Sequence, residues 1–81
     1  MNEDRTSLSQ QEERVLLAIG NLGENAYGVT IRGTLVEAGT PTELAPLYVV
    51  LGRLEQRKLV KSWVGGATAE RGGRAKKFYQ L

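Results

Sequence analysis

The chain has 81 residues, a formal net charge of +2, and neither cysteine nor histidine. This length predicts one small domain spanning residues 1–81, and the lack of cysteine excludes a disulfide framework. No apolar run approaches the roughly 20 residues that cross a bilayer, and the acidic, polar start MNEDRTSLSQ does not fit a secretory signal. We therefore expect a soluble, cytoplasmic protein without a membrane partner.

Positive charge is concentrated in the C-terminal part of the chain. Residues 1–52 hold three basic against seven acidic residues, a net charge of −4, whereas residues 53–81 hold eight basic against two acidic residues, a net charge of +6. Charge sorted in this way is typical of a domain that presents one end to a polyanion. A solvated basic edge without a partner has the same composition, so charge alone does not decide between the two interpretations.

The first predicted helix begins at a capping box. Ser9 and Glu12 form the pattern S-x-x-E, which predicts a helix to about Leu22 with Gly23 as its stop. Residues 1–6 have no apolar periodicity, and we expect them to be disordered. Leu17 lies off the apolar stripe; it is either an ordinary exposed leucine or part of a partner-facing surface. The apolar stripe consists of Leu8, Val15, Leu16, Ile19 and Leu22, with Glu12 as its only polar member.

A second helix is predicted over residues 28–38. Ile31, Leu35 and Ala38 recur at helical spacing and form its expected inner face, and Gly39 stands at the usual position just after the last turn. Gly33, in the middle, costs about 1 kcal/mol relative to alanine, unless it marks a close approach between helices.

The third predicted helix spans about residues 45–57, with Pro46 at the first helical position. Its inner face combines Leu47, Val50, Leu51 and Leu54. Its outer face is unusually small and uncharged for a solvent-exposed surface, which lets a helix backbone approach a groove closely; neutral variation is the alternative. The outer face consists of Ala45, Val49, Gly52 and Gln56, flanked by Tyr48 and Arg53.

Two β-strands are predicted after the helices, at residues 59–64 and 75–81. The connection GGATAERGGR contains four glycines and is expected to project into solvent. The predicted fold is therefore mainly α with a small β-hairpin, a winged helix-turn-helix of three helices and a two- or three-stranded wing. The third strand would come from an extended stretch at residues 25–27.

The composition gives little support for catalysis. Histidine and cysteine are absent and the only aspartate is Asp4, so most nucleophile-plus-base arrangements and metal sites lack their residues. The glycine-rich segment lacks the pattern GxxxxGK[ST] of phosphate-binding loops. We expect no enzyme activity, no cofactor and no metal.

A helix followed by a basic hairpin favours binding of double-stranded DNA. The helix at about 45–57 would enter the major groove, and the wing at 65–77 would reach the backbone or a minor groove, where arginine is favoured. Arg53 is placed to reach either a base or a phosphate. Trp63, Phe78 and Tyr79 are expected to pack within the hairpin and core. The predicted DNA-binding residues are Thr40, Thr42, Tyr48, Val49, Gly52, Arg53, Arg71, Arg74, Lys76 and Lys77.

The chain resembles the PadR-type transcriptional regulators. The motifs that match are Ala26-Tyr27-Gly28 before the second helix, Leu47-Tyr48 with Leu51 and Arg53-Leu54-Glu55 in the third, and Leu59-Val60, Ser62-Trp63, Gly73-Arg74-Ala75-Lys76-Lys77-Phe78-Tyr79 and Leu81 in the hairpin. The resemblance implies a winged helix that binds a palindromic operator as a dimer, usually to repress transcription.

Three features depart from that family's pattern. Lys58 replaces a usual glycine, which would cost about 1 kcal/mol in a left-handed conformation, and Ala75 replaces a common proline. The family's C-terminal dimerisation helices have no counterpart in the sequence. A homodimer is therefore expected through the first helix or the N-terminal segment. The alternative function is a winged-helix protein-interaction module without operator specificity.

Overall fold

The computed structural model describes residues 8–65 and 76–81. It contains three α-helices, α1 (Gln10–Leu22), α2 (Gly28–Glu37) and α3 (Leu44–Gln56), followed by two strands, β1 (Lys61–Gly65) and β2 (Lys76–Gln80). A single 3₁₀ turn, Gly23–Asn25, follows α1. The expected disorder of residues 1–6 and the glycine-rich connection between the strands lie outside the described residues.

The capping box predicted for α1 is confirmed. The hydroxyl of Ser9 accepts a hydrogen bond from the backbone N–H of Glu12 at 3.0 Å, and the Ser9 N–H donates to the Glu12 carboxylate at 3.0 Å. Gly23 ends the helix with a φ of 61°. These contacts satisfy backbone groups that have no partner inside the helix.

The helices α2 and α3 end in the same way. After α2, Gly39 and Thr40 donate their N–H groups to the carbonyls of Val36 and Leu35. This is the Schellman arrangement, which requires a left-handed residue at the first position beyond the helix. Gly39 meets that requirement with a φ of 85°.

After α3, the equivalent left-handed position is occupied by Lys58. Lys58 and Leu59 donate their N–H groups to the carbonyls of Glu55 and Leu54, both at 3.0 Å. Lys58, with a φ of 63°, is the one residue other than glycine with positive φ in the described parts of the chain. Residue 58 is therefore in the left-handed conformation in which lysine costs about 1 kcal/mol relative to glycine, and a side chain there is strained.

One hydrophobic core holds all three helices and the hairpin together. The inner face predicted for α3 is confirmed, since Leu47, Val50, Leu51 and Leu54 are all buried. Leu8, Leu16 and Leu22 are partly buried against this core. Its members are Val15, Ala18, Ile19, Ala26, Ile31, Leu35, Leu47, Val50, Leu51, Leu54, Val60 and Tyr79.

The strands form an antiparallel pair with Trp63 opposite Phe78 and Ser62 opposite Tyr79. The stretch at residues 25–27 contributes one isolated bridge, Tyr27 to Phe78, and Ala26 accepts a hydrogen bond from the Tyr79 N–H at 2.9 Å. The third strand raised by the sequence is therefore reduced to a bridge, because the chain turns into α2 at Gly28.

Several predicted details of the helices are wrong. The prediction placed Ala38 on the inner face of α2, but the helix ends at Glu37 and Ala38 is exposed. A methyl group added at Gly33 would meet nothing within 4 Å, so close helix packing does not explain that glycine. Pro46 is the third residue of α3 and not the first, a position that still needs no N–H donor.

The left-handed position of Lys58 gives a stability prediction. Lys58→Gly is expected to raise the free energy of unfolding by about 0.5–1 kcal/mol, because glycine adopts this conformation without steric cost. Lys58→Ala removes the long side chain but keeps the β-carbon, and should give no such gain. Urea unfolding monitored by circular dichroism measures both variants.

Gly39 provides the matched control at the equivalent position. Gly39→Ala should lower the free energy of unfolding by about 1 kcal/mol. If Lys58→Gly is no more stable than Lys58→Ala, strain at this position does not limit the stability of the fold.

Candidate nucleic-acid interface

The outer face of α3 is exposed and consists mainly of small side chains. Of the residues predicted to read DNA, Val49 is 56% exposed and Tyr48 is 46% exposed, and both Gly52 and Arg53 are exposed. A β-carbon added at Gly52 would meet nothing within 4 Å. The structure thus brings Tyr48, Val49, Gly52 and Arg53 together on one open helical surface, as the helical period predicts.

Tyr48 is less free than its position on the helix suggests. A β-carbon placed on Gly28 would lie 2.7 Å from Cζ of the Tyr48 ring and closer still to its hydroxyl oxygen. The end of the phenol therefore lies directly over the start of α2, where glycine leaves room for it. The sequence did not indicate this contact, and it holds the Tyr48 ring in place beside the outer face of α3.

Thr40 and Thr42 lie in the turn between α2 and α3. The Thr40 hydroxyl donates to the Leu35 carbonyl at 3.2 Å, and the Thr42 hydroxyl donates to the Glu43 carbonyl at 3.3 Å. Arg32 Nε donates to the Thr42 carbonyl at 2.8 Å. These bonds order the turn, and the predicted phosphate contacts of both threonines remain a prediction.

The two basic side chains of β2, Lys76 and Lys77, have partners within the protein. Lys76 Nζ lies 4.4 Å from the centre of the Tyr27 ring, a cation–π contact. Lys77 Nζ lies 3.4 Å from a carboxylate oxygen of Glu55. Arg71 and Arg74, the other basic residues predicted for the wing, lie outside the described residues.

Glu55, in the last turn of α3, contacts both strands. Its second carboxylate oxygen accepts a hydrogen bond from the Ser62 hydroxyl at 2.5 Å, while the first faces Lys77. The Ser62 hydrogen bond, assisted by Lys77, holds the pKa of the Glu55 carboxyl below its ordinary value against the opposing effect of desolvation. Glu55 is therefore ionised at neutral pH.

A second acidic residue, Glu12 of α1, contacts Arg57, which directly follows α3. Glu12 is buried, and its carboxylate both completes the capping box and accepts from Arg57 Nη1 at 3.2 Å. This ion pair joins the start of α1 to the end of α3. The sequence did carry a signal for it, since Glu12 is the polar member of an otherwise apolar stripe and buried carboxylates require partners.

The aromatic residues of the hairpin divide between core and surface. Tyr79 is buried, and this burial, with smaller effects of Glu55 and Tyr48, raises the pKa of its phenol. Trp63 stacks on Phe78 with ring centres 5.9 Å apart, and Phe78 meets Tyr27 edge to face. The expected packing is therefore observed: Tyr79 lies in the core, and Trp63, although 42% exposed, packs on Phe78 within the hairpin.

A separate apolar groove runs beside α1. It combines residues that are distant in sequence, and the side chains of Leu17 and Leu81 are 69% and 59% exposed. Apolar surface of this kind is characteristic of an interaction site. The groove is lined by Leu8, Glu13, Leu16, Leu17, Leu59 and Leu81.

Two classes of site are not observed among residues 8–65 and 76–81. No group of three acidic side chains there could hold a metal ion. Within the same ranges, none of the helices combines the length and apolar character needed to cross a membrane. No protein-family model matches the chain, and no curated protein matches its sequence.

Proposed function

We propose that this protein is a cytoplasmic winged helix-turn-helix regulator that binds double-stranded DNA with sequence specificity and represses transcription. The observation that carries this proposal is the outer face of α3, which is exposed, low in profile and uncharged except for Arg53. In this arrangement α2, the ordered turn and α3 form the helix-turn-helix. The resemblance to PadR-type regulators supports the same assignment.

Each part of the proposed interface has a distinct role. Val49 and Gly52 allow the backbone of α3 to approach the base edges in the major groove, and Arg53 provides donors for a base or a phosphate. The basic hairpin supplies phosphate contacts, which add affinity without sequence information. Specificity therefore resides at residues 48–53 and most of the affinity at residues 71–77.

Titration of a labelled duplex at several salt concentrations tests DNA binding directly. With about five phosphate contacts, the logarithm of the binding constant should fall with the logarithm of salt concentration at a slope of about −4.5. A flat slope, or no binding at low salt, contradicts the proposal.

Arg53 provides a test of whether the protein distinguishes DNA base sequences. Arg53→Ala is expected to weaken binding to the preferred duplex by about 1–3 kcal/mol and to relax the preference at one base pair. Arg53→Lys keeps the positive charge but loses the planar fork of donors, and should lose most of the same discrimination. Competition binding against duplexes substituted at single positions measures both effects.

The two variants together separate the two roles of Arg53. If Arg53→Ala weakens binding equally on all sequences and Arg53→Lys restores it, Arg53 is a phosphate contact. Specificity would then have to come from the other residues of the α3 outer face.

We further propose that the groove beside α1 binds a second copy of this chain. A two-fold dimer uses the same surface on both copies, and a leucine-lined groove supplies the apolar area for such a contact. Its lining includes one charged residue, Glu13 on α1, beside five leucines. A dimer of this kind would match a palindromic operator.

Leu17→Glu is the substitution expected to separate the copies, because it places a charge in the middle of the apolar contact. Size-exclusion chromatography with light scattering should show a dimer for the wild type and a monomer for this variant. Val36→Glu is the control, since Val36 is an exposed apolar residue on α2 outside the groove, and it should remain dimeric. A wild type that is monomeric both alone and on DNA contradicts the dimer.

A protein-interaction module is the second candidate function. It is favoured by the exposed apolar surface of Tyr48 and Val49 on α3, which would also suit a protein partner. A partner that is retained after nuclease treatment, together with no preference in a selection from random duplexes, would favour this alternative over DNA binding.

A further inference from the structure

Glu55 is an acidic residue in the most basic part of the chain, on the helix proposed to enter DNA. A carboxylate in that location repels phosphates and so opposes the proposed function electrostatically. Its side chain is 39% exposed, so burial in the core does not account for it. Its contacts with the hairpin suggest a different role.

Those contacts occur at two different positions along the strands of the hairpin. Ser62, near the start of β1, stands opposite Tyr79, whereas Lys77 stands opposite Val64, two positions further along the same strand pair. At about 3.3 Å per residue, the two contacts are separated by about 7 Å along the strands. The buried Tyr79 and its N–H bond to the Ala26 carbonyl anchor the hairpin to the core, and the two Glu55 contacts, at different positions along the strands, additionally hold its angle relative to α3.

The same contacts determine where the charge of Lys77 lies. Its ammonium group is held 3.4 Å from Glu55 and 5.8 Å from the centre of the Tyr79 ring. A lysine held between a carboxylate and an aromatic ring is partly neutralised, which reduces its attraction to a phosphate. Lys77 was predicted as a DNA contact from its position alone, and this geometry assigns it a structural partner.

We propose that Glu55 is a positioning residue that sets the angle between the hairpin and α3 and withholds Lys77 from phosphates. This inference rests on the proposed DNA-binding function. By fixing the angle, Glu55 allows α3 and the hairpin to engage one duplex together only when the duplex has the matching groove geometry. Glu55 thus contributes to specificity and reduces non-specific affinity.

Three variants separate these contributions. Glu55→Gln keeps an acceptor for the Ser62 hydroxyl but loses the ion pair with Lys77, and Glu55→Ala loses both contacts. Glu37→Gln is the control, because it removes the same charge from an exposed residue at the end of α2. The first measurement needs no DNA: residual dipolar couplings report the orientation of the β1 and β2 amides relative to α3.

We expect the hairpin of Glu55→Ala to change its orientation relative to α3, while Glu37→Gln keeps the wild-type orientation. On DNA, Glu55→Gln should bind random duplex at least as tightly as the wild type. Its salt slope should become steeper by about 0.9, as one additional phosphate contact requires. Its preference for the duplex that the wild type binds most tightly, over random duplex, should fall by about tenfold. This is the effect expected when one charge-assisted contact is lost.

The outcomes separate this inference from the function on which it rests. If the wild type binds duplex and Glu55→Gln matches Glu37→Gln in both slope and preference, the positioning role is wrong and DNA binding stands. If the wild type binds no duplex, the proposed function fails. In that case only the dipolar couplings test whether Glu55 sets the angle of the hairpin. An unchanged hairpin orientation in Glu55→Ala overturns the positioning role as well.

Discussion

Burial of one side of α3 is the constraint on which the rest of the structure depends. Leu47, Val50, Leu51 and Leu54 contact residues from α1, α2 and the hairpin in the single core. In a domain of this size, truncating one buried leucine costs about 2–5 kcal/mol, a large part of a total stability of about 4–12 kcal/mol. The rotation of α3 about its own axis is therefore fixed, and Tyr48, Val49, Gly52 and Arg53 must face solvent.

Two ion pairs organise the charge around the C-terminal end of that helix. Glu12 pairs with Arg57 where α3 meets α1, and Glu55 pairs with Lys77 where α3 meets the hairpin. Both carboxylates hold basic side chains from the positively charged part of the chain. The net charge of +6 over residues 53–81 already includes Glu55, whereas Glu12 lies outside that range, so its pairing with Arg57 lowers the charge available to a polyanion. This makes the orientation of the hairpin as important to the proposed function as its charge.

The sequence predicted best those features that depend on neighbours within one or two helical turns. The Ser9–Glu12 capping box and the buried stripe of α3 follow from local spacing. The unusual position of residue 58 was indicated only by the resemblance, in which glycine is usual there. The exposed positions of Tyr48, Val49, Gly52 and Arg53 follow from the same period. Their role in binding DNA is a separate inference that rests on chemistry and resemblance.

Features that depend on the packing of distant segments could not be read from the sequence. The contact of Glu55 with Lys77 requires the register of β1 and β2 and their angle to α3, and the sequence specifies neither locally. The position of Tyr48 over Gly28 requires the crossing of α2 and α3. Ala38 was misplaced because a helical period does not reveal where a helix ends, and here the left-handed Gly39 ends it one residue earlier.

We propose that α3 and the hairpin engage one DNA duplex through the surface that the core leaves exposed. The most direct measurement is an NMR titration of ¹⁵N-labelled protein with a duplex obtained by selection from random sequences. We expect the amide signals of Val49, Gly52 and Arg53 to shift together with those of Lys76 and Lys77. Shifts confined to the leucine groove beside α1, or to the hairpin with α3 unchanged, would contradict it.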